Sequence, residues 1–463
     1  MPKFWNRSKW IGLLIISVWA TASLAQGIEY QIGGFIQNQS AARFKNGATG
    51  ENWTFPLVRN TLQLEGFLQL NPNFRLVGIY RGAYEASFAL DGRLNQFPKK
   101  ELDFENDLRE IYADIITNNW SLRMGRQQVV WGESDGLRLA DIINPLDLRW
   151  HYFLESFEDI RRPIWLMLGT YALPAFHDLS LELVYIPWEF LPAQIAPFGA
   201  NWAFLTPPNS GPVEITDNIP ENSVENSEVG TRLKGTFSGW EVSVLGFYTR
   251  SDAPIAVFRG FNLNTFAVQL SLEYRLTNVL GFTLNKFLGW AKTVFRGEFT
   301  YTANQPYNTY FFNDPGDPAD DILADVKKPT INYVIGLDRP TLLPINPHRS
   351  VFLSAQFFQT IILDYDDNLI VTGYPSTQQK EIVNLISFYS NTGYFHDKLQ
   401  PEFLGIYDFR GQGWLQPKLS YSYNDYWRIT LGANLLFGNN AFEGPFGFFQ
   451  ENDEMFLQIR FAL

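Results

Sequence analysis

Residues 428–437 read RITLGANLLF. Every odd-numbered position in this stretch is apolar, whereas Arg428, Thr430 and Asn434 lie between the apolar residues. This period of two predicts a β-strand with one apolar face and one polar face. In a transmembrane β-barrel the apolar face meets lipid and the polar face meets the lumen.

The same alternation recurs along the chain, at 61–70, 110–115 and 240–244, and it continues to the end of the chain at 457–463. The predicted strands are about ten to fourteen residues long, whereas strands of soluble proteins are usually about five or six. A last amphipathic strand that ends in an apolar residue resembles the assembly signal of outer-membrane barrels, which usually ends in Phe rather than in Leu463.

The strands and their connections predict an all-β, transmembrane antiparallel β-barrel of about 18 strands. Short turns alternate with long polar connections, as in bacterial outer-membrane barrels. Two connections break this pattern, because 276–292 is long where a short turn is due and 411–413 is short where a long loop is due. Residues 276–292 could form a periplasmic helix or a further strand, and sixteen strands is the alternative. The predicted strands lie near 28–38, 55–70, 74–87, 107–117, 120–132, 164–173, 179–188, 226–237, 240–251, 265–275, 293–303, 329–338, 350–361, 380–394, 399–410, 414–423, 426–437 and 454–463.

Composition agrees with a barrel and excludes several other classes of protein. The 463 residues carry a formal net charge of -12, which argues against a nucleic-acid-binding protein. Only 18% of the residues are charged and 16% are aromatic. The chain has no cysteine, which excludes disulfides and cysteine-type zinc sites. We expect neither a cofactor nor a metal, and we expect no enzymatic activity, since no catalytic motif is recognisable.

The first 25 residues predict export from the cytoplasm. Three basic residues precede an apolar stretch of 11 residues at 10–20, and Ser23-Leu24-Ala25 resembles a cleavage site. We therefore expect residues 1–25 to be a signal peptide that is read by the Sec pathway and cleaved after Ala25. The barrel would then comprise residues 26–463, located in the bacterial outer membrane.

The densest group of polar and charged side chains begins in the predicted strand 120–132 and continues into the connection 133–163. Arginine and carboxylate side chains that face each other across a lumen would set its field and its constriction. A network of ion pairs that only braces the barrel wall is the alternative interpretation. The candidate lumen and constriction residues are Arg123, Arg126, Gln127, Trp131, Glu133, Asp135, Arg138, Asn144, Arg161 and Arg162.

The connection 133–163 is long enough to have a function of its own. Connections beyond about 15 residues are usually functional or disordered, and the leucine and isoleucine side chains of this one argue against disorder. Helix-like spacing within it stops at an Asn-Pro step. We expect the segment to fold partly into the lumen, where Arg126, Glu133, Asp135 and Arg162 would hold it as a charged network.

Four short motifs in this region carry a resemblance to a known family. They are Gly-Arg-Gln at 125–127, Trp-Gly-Glu-Ser at 131–134, Asn-Pro-Leu-Asp at 144–147 and Arg-Arg-Pro at 161–163. Their order resembles the signature of the domain-of-unknown-function family 1302, a group of proteobacterial outer-membrane β-barrel proteins. The resemblance implies partners such as outer-membrane lipid, an inner-membrane exporter or a periplasmic lipid carrier.

The lumen face offers one further indication of function. Four aromatic residues, Phe67, Phe247, Phe352 and Phe358, fall on the polar parity of their strands, so that the lumen would be partly apolar. This favours a channel or transporter for hydrophobic small molecules or lipids. A general diffusion porin for hydrophilic solutes is the first alternative, and a structural or adhesive barrel is the second.

Overall fold

A computed structural model describes residues 28–44, 53–134, 137–174, 178–203, 213–311, 322–371, 377–438 and 444–463. The predicted signal peptide lies outside this part of the chain. The described residues form a closed antiparallel sheet of eighteen long strands. Numbered in chain order, these strands are β1 (Glu29–Arg43), β2 (Thr54–Asn71), β3 (Phe74–Glu85), β4 (Phe104–Ile116), β5 (Trp120–Gln127), β6 (Ile164–Ala172), β7 (Ser180–Ile186), β9 (Glu228–Phe237), β10 (Trp240–Arg250), β13 (Leu276–Leu288), β14 (Thr293–Phe311), β15 (Ile322–Leu343), β16 (Asn346–Ile362), β19 (Ile382–Asn391), β20 (Leu399–Asp408), β21 (Gln412–Ser422), β22 (Trp427–Phe437) and β23 (Glu454–Ala462).

The first and last strands close the sheet into a barrel. Strand β1 pairs with β23 in a continuous antiparallel register from Phe35 opposite Ala462 to Arg43 opposite Glu454. Closure leaves no sheet edge open, which a sheet in a bilayer requires because lipid offers no hydrogen bonds to an unpaired backbone. The prediction of an 18-stranded antiparallel barrel is confirmed, and the sixteen-stranded alternative is wrong.

One predicted wall strand was assigned to the wrong segment. The wall strand is β13, inside the segment 276–292 that broke the pattern, whereas most of 265–275 forms β12 (Ala267–Glu273) in a separate three-stranded sheet. Both segments alternate, but alternation identifies a strand without naming its sheet. Buried Val279 puts an apolar side chain on the lumen face of β13. The alternation of apolar and polar residues is therefore less regular in this strand.

With β13 in the wall, short and long connections alternate as predicted, with one exception. Residues 289–292 become a short turn and 251–275 a long connection. The exception is 409–411, a three-residue turn at the end of the barrel that otherwise carries long connections. There the buried Asp408 carboxylate accepts hydrogen bonds from the Arg410 guanidinium, at 2.9 and 3.0 Å, and holds the tight turn. We call the two ends of the barrel the long-connection end and the short-turn end.

The remaining elements lie in the long connections. The small sheet consists of β8 (Val213–Asn218), β11 (Ile255–Asn262) and β12, and two short strands, β17 (Leu369–Val371) and β18 (Thr377–Gln378), extend the wall next to β14. Among the described residues, no helix has the length and apolar character needed to cross a membrane. The helices are α1 (Ser87–Leu90), α2 (Lys99–Leu102) and α3 (Phe157–Ile160), with 3₁₀ turns at Val224–Asn226 and Gly447–Asn452.

The two faces of the wall differ as the alternation predicted. On β22 and β23 the side chains of Leu431 and Leu457 are 49% and 39% exposed. Their neighbours of opposite parity, Asn434 and Glu454, are completely buried. The first pair therefore lies on the outer face and the second pair on the lumen face, because successive side chains of a strand point to opposite sides.

Candidate functional site

The polar connection between β5 and β6 begins earlier than the sequence indicated. Strand β5 ends at Gln127, so that residues 128–163, which we call the lumen segment, belong to the connection. The predicted strand 120–132 was therefore five residues too long. The predicted helix before the Asn-Pro step is absent from the described residues of this segment, whose single helix is α3.

Asn144 clamps the two ends of the lumen segment together. It is completely buried, and its side-chain oxygen accepts a hydrogen bond from the Val129 amide at 2.7 Å. Its amide nitrogen donates to the carbonyl oxygens of Gln127 at 3.1 Å and Arg162 at 2.9 Å. The Arg162 amide in turn donates to the Pro145 carbonyl oxygen at 2.8 Å. One side chain thus satisfies backbone groups from both ends of the segment, which have few other partners once the strands have separated.

Trp131 anchors the first part of the segment to the wall. It is completely buried, and its indole nitrogen donates a hydrogen bond of 3.0 Å to Glu182 on β7. Arg232 on β9 donates to the same carboxylate at 2.9 Å and lies 5.5 Å from the Trp131 ring centroid. The ring also packs edge-on against Phe247, at 6.3 Å between centroids. A Cβ at Gly230 would lie 2.8 Å from the Trp131 ring, so that this position has room only for glycine.

A second anchor is the buried Glu298 carboxylate on β14. It accepts hydrogen bonds from the backbone amides of Glu133, at 2.5 Å, and Ala140, at 3.0 Å. The Glu133 side chain accepts a hydrogen bond from Asn285 on β13, and its carbonyl oxygen accepts one from Arg296 at 2.8 Å. Burial, reinforced by nearby carboxylates, raises the pKa of Glu133.

Three charged side chains form a buried cluster inside the segment itself. The Asp141 carboxylate accepts hydrogen bonds from Arg161, at 2.5 and 3.1 Å, and lies 3.0 Å from the Arg138 guanidinium. Arg138 also donates to the Asn144 carbonyl oxygen at 2.7 Å. Burial lowers the pKa of Arg138, an effect that the Asp141 charge partly offsets. Two guanidinium groups therefore share one carboxylate next to the Asn144 clamp.

The second half of the segment reaches the opposite part of the wall, where β23 meets β1. His151 is 2% exposed and hydrogen-bonds through one ring nitrogen to Glu155, at 2.5 Å, and through the other to Glu454 on β23. Gln39 on β1 donates to Glu155 at 2.7 Å. Burial alone would lower the pKa of His151, but the Glu454 and Glu155 carboxylates raise it to about 10. The imidazole is therefore charged at neutral pH.

Aromatic and wall contacts complete the attachment. Phe153 packs edge-on against Trp414 of β21, with 5.3 Å between ring centroids. On the β3 and β4 side, Arg81 donates to Asp159 at 2.6 Å, and Arg109 donates to the carbonyl oxygen of Arg161 at 3.0 Å. The segment touches lumen-face side chains around much of the wall, so that it lies inside the lumen. The wall strands in contact include β1, β2, β3, β4, β5, β7, β9, β13, β14, β21 and β23.

The predicted site residues that the structure describes contact different partners. Arg126 bonds to Asp107 at 2.5 Å and to the Pro163 carbonyl oxygen at 3.1 Å, at the junction of segment and wall. Arg162 donates to the Pro192 carbonyl oxygen, and Arg123 pairs with Asp114 on β4, away from the segment.

Gln127 is completely buried and donates to the Leu166 carbonyl oxygen at 3.2 Å. Asp135 lies outside the described residues. The contacts of Arg126, Glu133 and Arg162 are therefore separate anchors, and none of these three residues bonds to another in the part of the chain that the structure describes.

Sequence reasoning missed the wall residues that receive the segment. These are Glu182, Asn285, Glu298 and Glu454, each on the lumen parity of its strand. A carboxylate on the polar face of a barrel strand is ordinary in sequence, so that nothing marked these residues as partners of a distant segment. His151 was visible as a histidine in the connection, but its second partner, Glu454, lies 303 residues away in sequence.

Cavities remain inside the barrel. One of about 390 Å³ lies below Phe153 and against β20 to β23, and another of about 420 Å³ lies nearer the short-turn end. Glu402 lines both. Among the residues that the structure describes, no group of three or more His, Asp or Glu side chains is arranged to hold a metal ion.

Comparison with known proteins gives a family and a fold. A family model described as "Protein of unknown function (DUF1302)" matches residues 37–463. A search of curated proteins found no match. Acinetobacter baumannii OccAB1 is 12% identical, with 96% of this chain and 98% of that chain covered and a TM-score of 0.51. Pseudomonas aeruginosa OccK9 (OpdG) is 8% identical, with coverages of 94% and 98% and a TM-score of 0.50. A BenF-like porin from Pseudomonas fluorescens is 7% identical, with coverages of 94% and 98% and a TM-score of 0.49. At these identities the likeness concerns the fold alone.

Proposed function

The chain belongs to the DUF1302 family, and we propose that it is an outer-membrane channel for hydrophobic small molecules or lipids. The observation that carries this proposal is the lumen segment, which is bonded to lumen-face side chains on opposite parts of the wall. A permeant would have to pass between this segment and the wall rather than through a wide water-filled pore.

Apolar side chains join the segment to the wall at two places along that route. One cluster of buried side chains joins Trp131 and Ile143 of the segment to wall residues such as Phe247. A second joins Tyr152 and Leu154 to the wall around Trp414. Apolar contacts of this kind can be exchanged for contacts with an apolar permeant at little cost, whereas a hydrated solute would lose hydrogen bonds to water on entry.

One observation favours passage of hydrophilic solutes as a second candidate. On β14 to β19 the lumen parity carries polar side chains, including Thr300, Asn332, Gln356 and Thr360. A polar wall opposite the segment could support a narrow hydrated path. A narrow path of this kind would still exclude the large solute flux of a general diffusion porin.

The two candidates are separable by solute uptake. Intact cells that express the protein should take up N-phenyl-1-naphthylamine faster than cells that carry an empty vector. Liposomes that contain the purified protein should swell no faster in glucose than protein-free liposomes. Release of a periplasmic enzyme into the medium reports general membrane damage, and it should not change. Rapid swelling in glucose without faster dye uptake would establish the hydrophilic channel instead.

The family resemblance also bears on partners. We propose that an inner-membrane exporter or a periplasmic lipid carrier would meet the barrel at its short-turn end. The short connections leave the lumen accessible there, and the cavity of about 420 Å³ lies at this end.

A further inference from the structure

The cavity of about 390 Å³ has two chemically different parts. Its upper part, next to the lumen segment, has apolar side chains such as Phe153 and Trp414 beside polar ones such as Glu155 and Gln416. Its lower part, towards the short-turn end, is lined by the cations Lys418, Arg428 and Arg460. The apolar lining residues that matter here are Phe153, Leu404, Trp414 and Phe456.

The cations of the lower part lie close enough to repel one another when no ligand is bound. Arg428 and Arg460 lie directly opposite each other on β22 and β23. Like charges in such a cross-strand pair destabilise a sheet. The charge is only partly balanced, because Glu402 lies 3.1 Å from Lys418 and 3.9 Å from Arg428. The wall of the cavity thus has three cations and one carboxylate.

Arg460 carries the least compensated of these charges. Its guanidinium lies 3.7 Å from the centroid of the Phe35 ring, a favourable but weak contact. Within the described ranges, no carboxylate forms an ion pair with it. The acidic residues on the opposite side of the cavity, Glu155 and Asp159, are already bonded to His151 and Arg81.

The two parts of the cavity follow one another along the wall. Trp414 and Lys418 share the lumen parity of β21 and are four residues apart, which is roughly 13 Å of extended strand. Arg428 lies opposite Ser422, four residues further towards the short-turn end. A ligand with a charged end next to Arg428 and Arg460 and an apolar end next to Phe456, four residues from Arg460 on β23, would match this order.

We propose that this cavity binds a single-chain amphiphile with an anionic head group, and this inference rests on the proposed function. Arg428 and Arg460 donate charge-assisted hydrogen bonds to the head group, which relieves their mutual repulsion. The aliphatic chain lies along Phe456. The site thereby specifies the class of permeant that approaches or leaves the lumen through the short-turn end.

The test is the binding of octanoate to the purified protein in lipid nanodiscs, measured by calorimetry. Octanol, which lacks the charge, and butyrate, which lacks the chain, are the matched probes. Octanoate should bind at least about tenfold more tightly than either. The Arg428→Gln/Arg460→Gln variant should lose at least about tenfold in octanoate affinity and leave octanol binding unchanged. Arg259→Gln, on the small sheet, is the control and should behave like the unmodified protein.

Other outcomes would overturn the inference in distinguishable ways. Equal binding of octanol and octanoate, unaffected by the double variant, would refute the anionic head group and leave the hydrophobic channel standing. Equal binding of butyrate and octanoate would refute the amphiphile and favour a channel for small anions. If the double variant fails to fold, as judged by gel mobility before and after heating, the single variant Arg460→Gln serves the same test. Tighter binding of octyl phosphate than of octanoate would identify a phosphate rather than a carboxylate as the head group.

Discussion

Asn144 shows how a single side chain can define the base of a long connection. Its three hydrogen bonds reach the backbone on both sides of the point where β5 and β6 separate. The motif Asn-Pro-Leu-Asp therefore has a structural meaning, because the proline that follows supplies the carbonyl oxygen that receives the Arg162 amide. The resemblance to the family identified this residue, but the clamp itself could be recognised only from the fold.

We predict that Asn144→Ala loosens the lumen segment without unfolding the barrel. The substitution leaves an amide and two carbonyl groups of the buried backbone without partners, at about 1–3 kcal/mol for each group that stays unsatisfied. Protease cleavage within 140–155 should become faster, and gel mobility should still indicate a folded barrel. Asn60→Ala, on β2, is the matched control, because Asn60 is exposed and its side chain hydrogen-bonds to Asn38 on β1 and to the Val58 carbonyl oxygen, both away from the segment. Equal cleavage rates in both variants would refute the clamp.

The wall residues that bond to the lumen segment could not be predicted from the sequence. The sequence indicated a segment held by its own charges, and Asp141 with Arg138 and Arg161 is such a group. The decisive contacts to Glu298 and Glu454, however, join residues that are more than 150 positions apart. Only the curvature of the closed barrel brings these residues to the same point, and one sequence contains no signal for that.

At the scale of elements, the lumen segment has one attachment that depends on pH. His151 bonds to Glu155 and Glu454, and its pKa in the folded protein is raised to about 10. A histidine with a raised pKa contributes its full stabilisation below the pKa of the unfolded chain, about 6.5. That contribution falls as the pH rises above 6.5, and it is lost once the pH passes 10.

We therefore predict that the second half of the segment is released between pH 6.5 and pH 10. Protease cleavage near 150–156 should increase over this range in the unmodified protein. His151→Asn should remove the pH-dependent increase, since the titrating group is absent. His348→Gln is the control, because His348 is exposed near the start of β16, at the short-turn end. If the cleavage profile of His151→Asn is the same as that of the unmodified protein, His151 does not hold the segment in place.

Alternation in the sequence predicts where the strands lie, but it does not predict which sheet each strand joins. Alternation located most of the eighteen strands and the signature of the last one, because the two faces of each strand meet lipid and lumen. The same alternation placed 265–275 in the wall, although its main strand, β12, belongs to the small sheet. The choice between β12 and β13 depends on pairing partners, and β13 pairs with β10 and β14.

At the scale of the whole molecule, the closing strand β23 must keep its outer face in lipid. Leu457 is on that face and Gln458 is on the lumen face. Near the middle of the bilayer, an arginine on the lipid face costs roughly 2–4 kcal/mol, whereas substitutions on the lumen face mainly alter selectivity. We predict that Leu457→Arg lowers the urea concentration at which the barrel unfolds in lipid vesicles, and that Gln458→Arg does not. Equal midpoints for the two variants would contradict the assigned faces.

The central claim is that residues 128–163 occupy the lumen and restrict passage through the barrel. Single-channel recording in planar bilayers tests it most directly, with the unmodified protein compared to a variant in which 134–158 are replaced by a short Gly-Ser linker. We predict little or no conductance for the unmodified protein and large, steady steps for the variant. Large, steady steps from the unmodified protein, unchanged in the variant, would contradict the account.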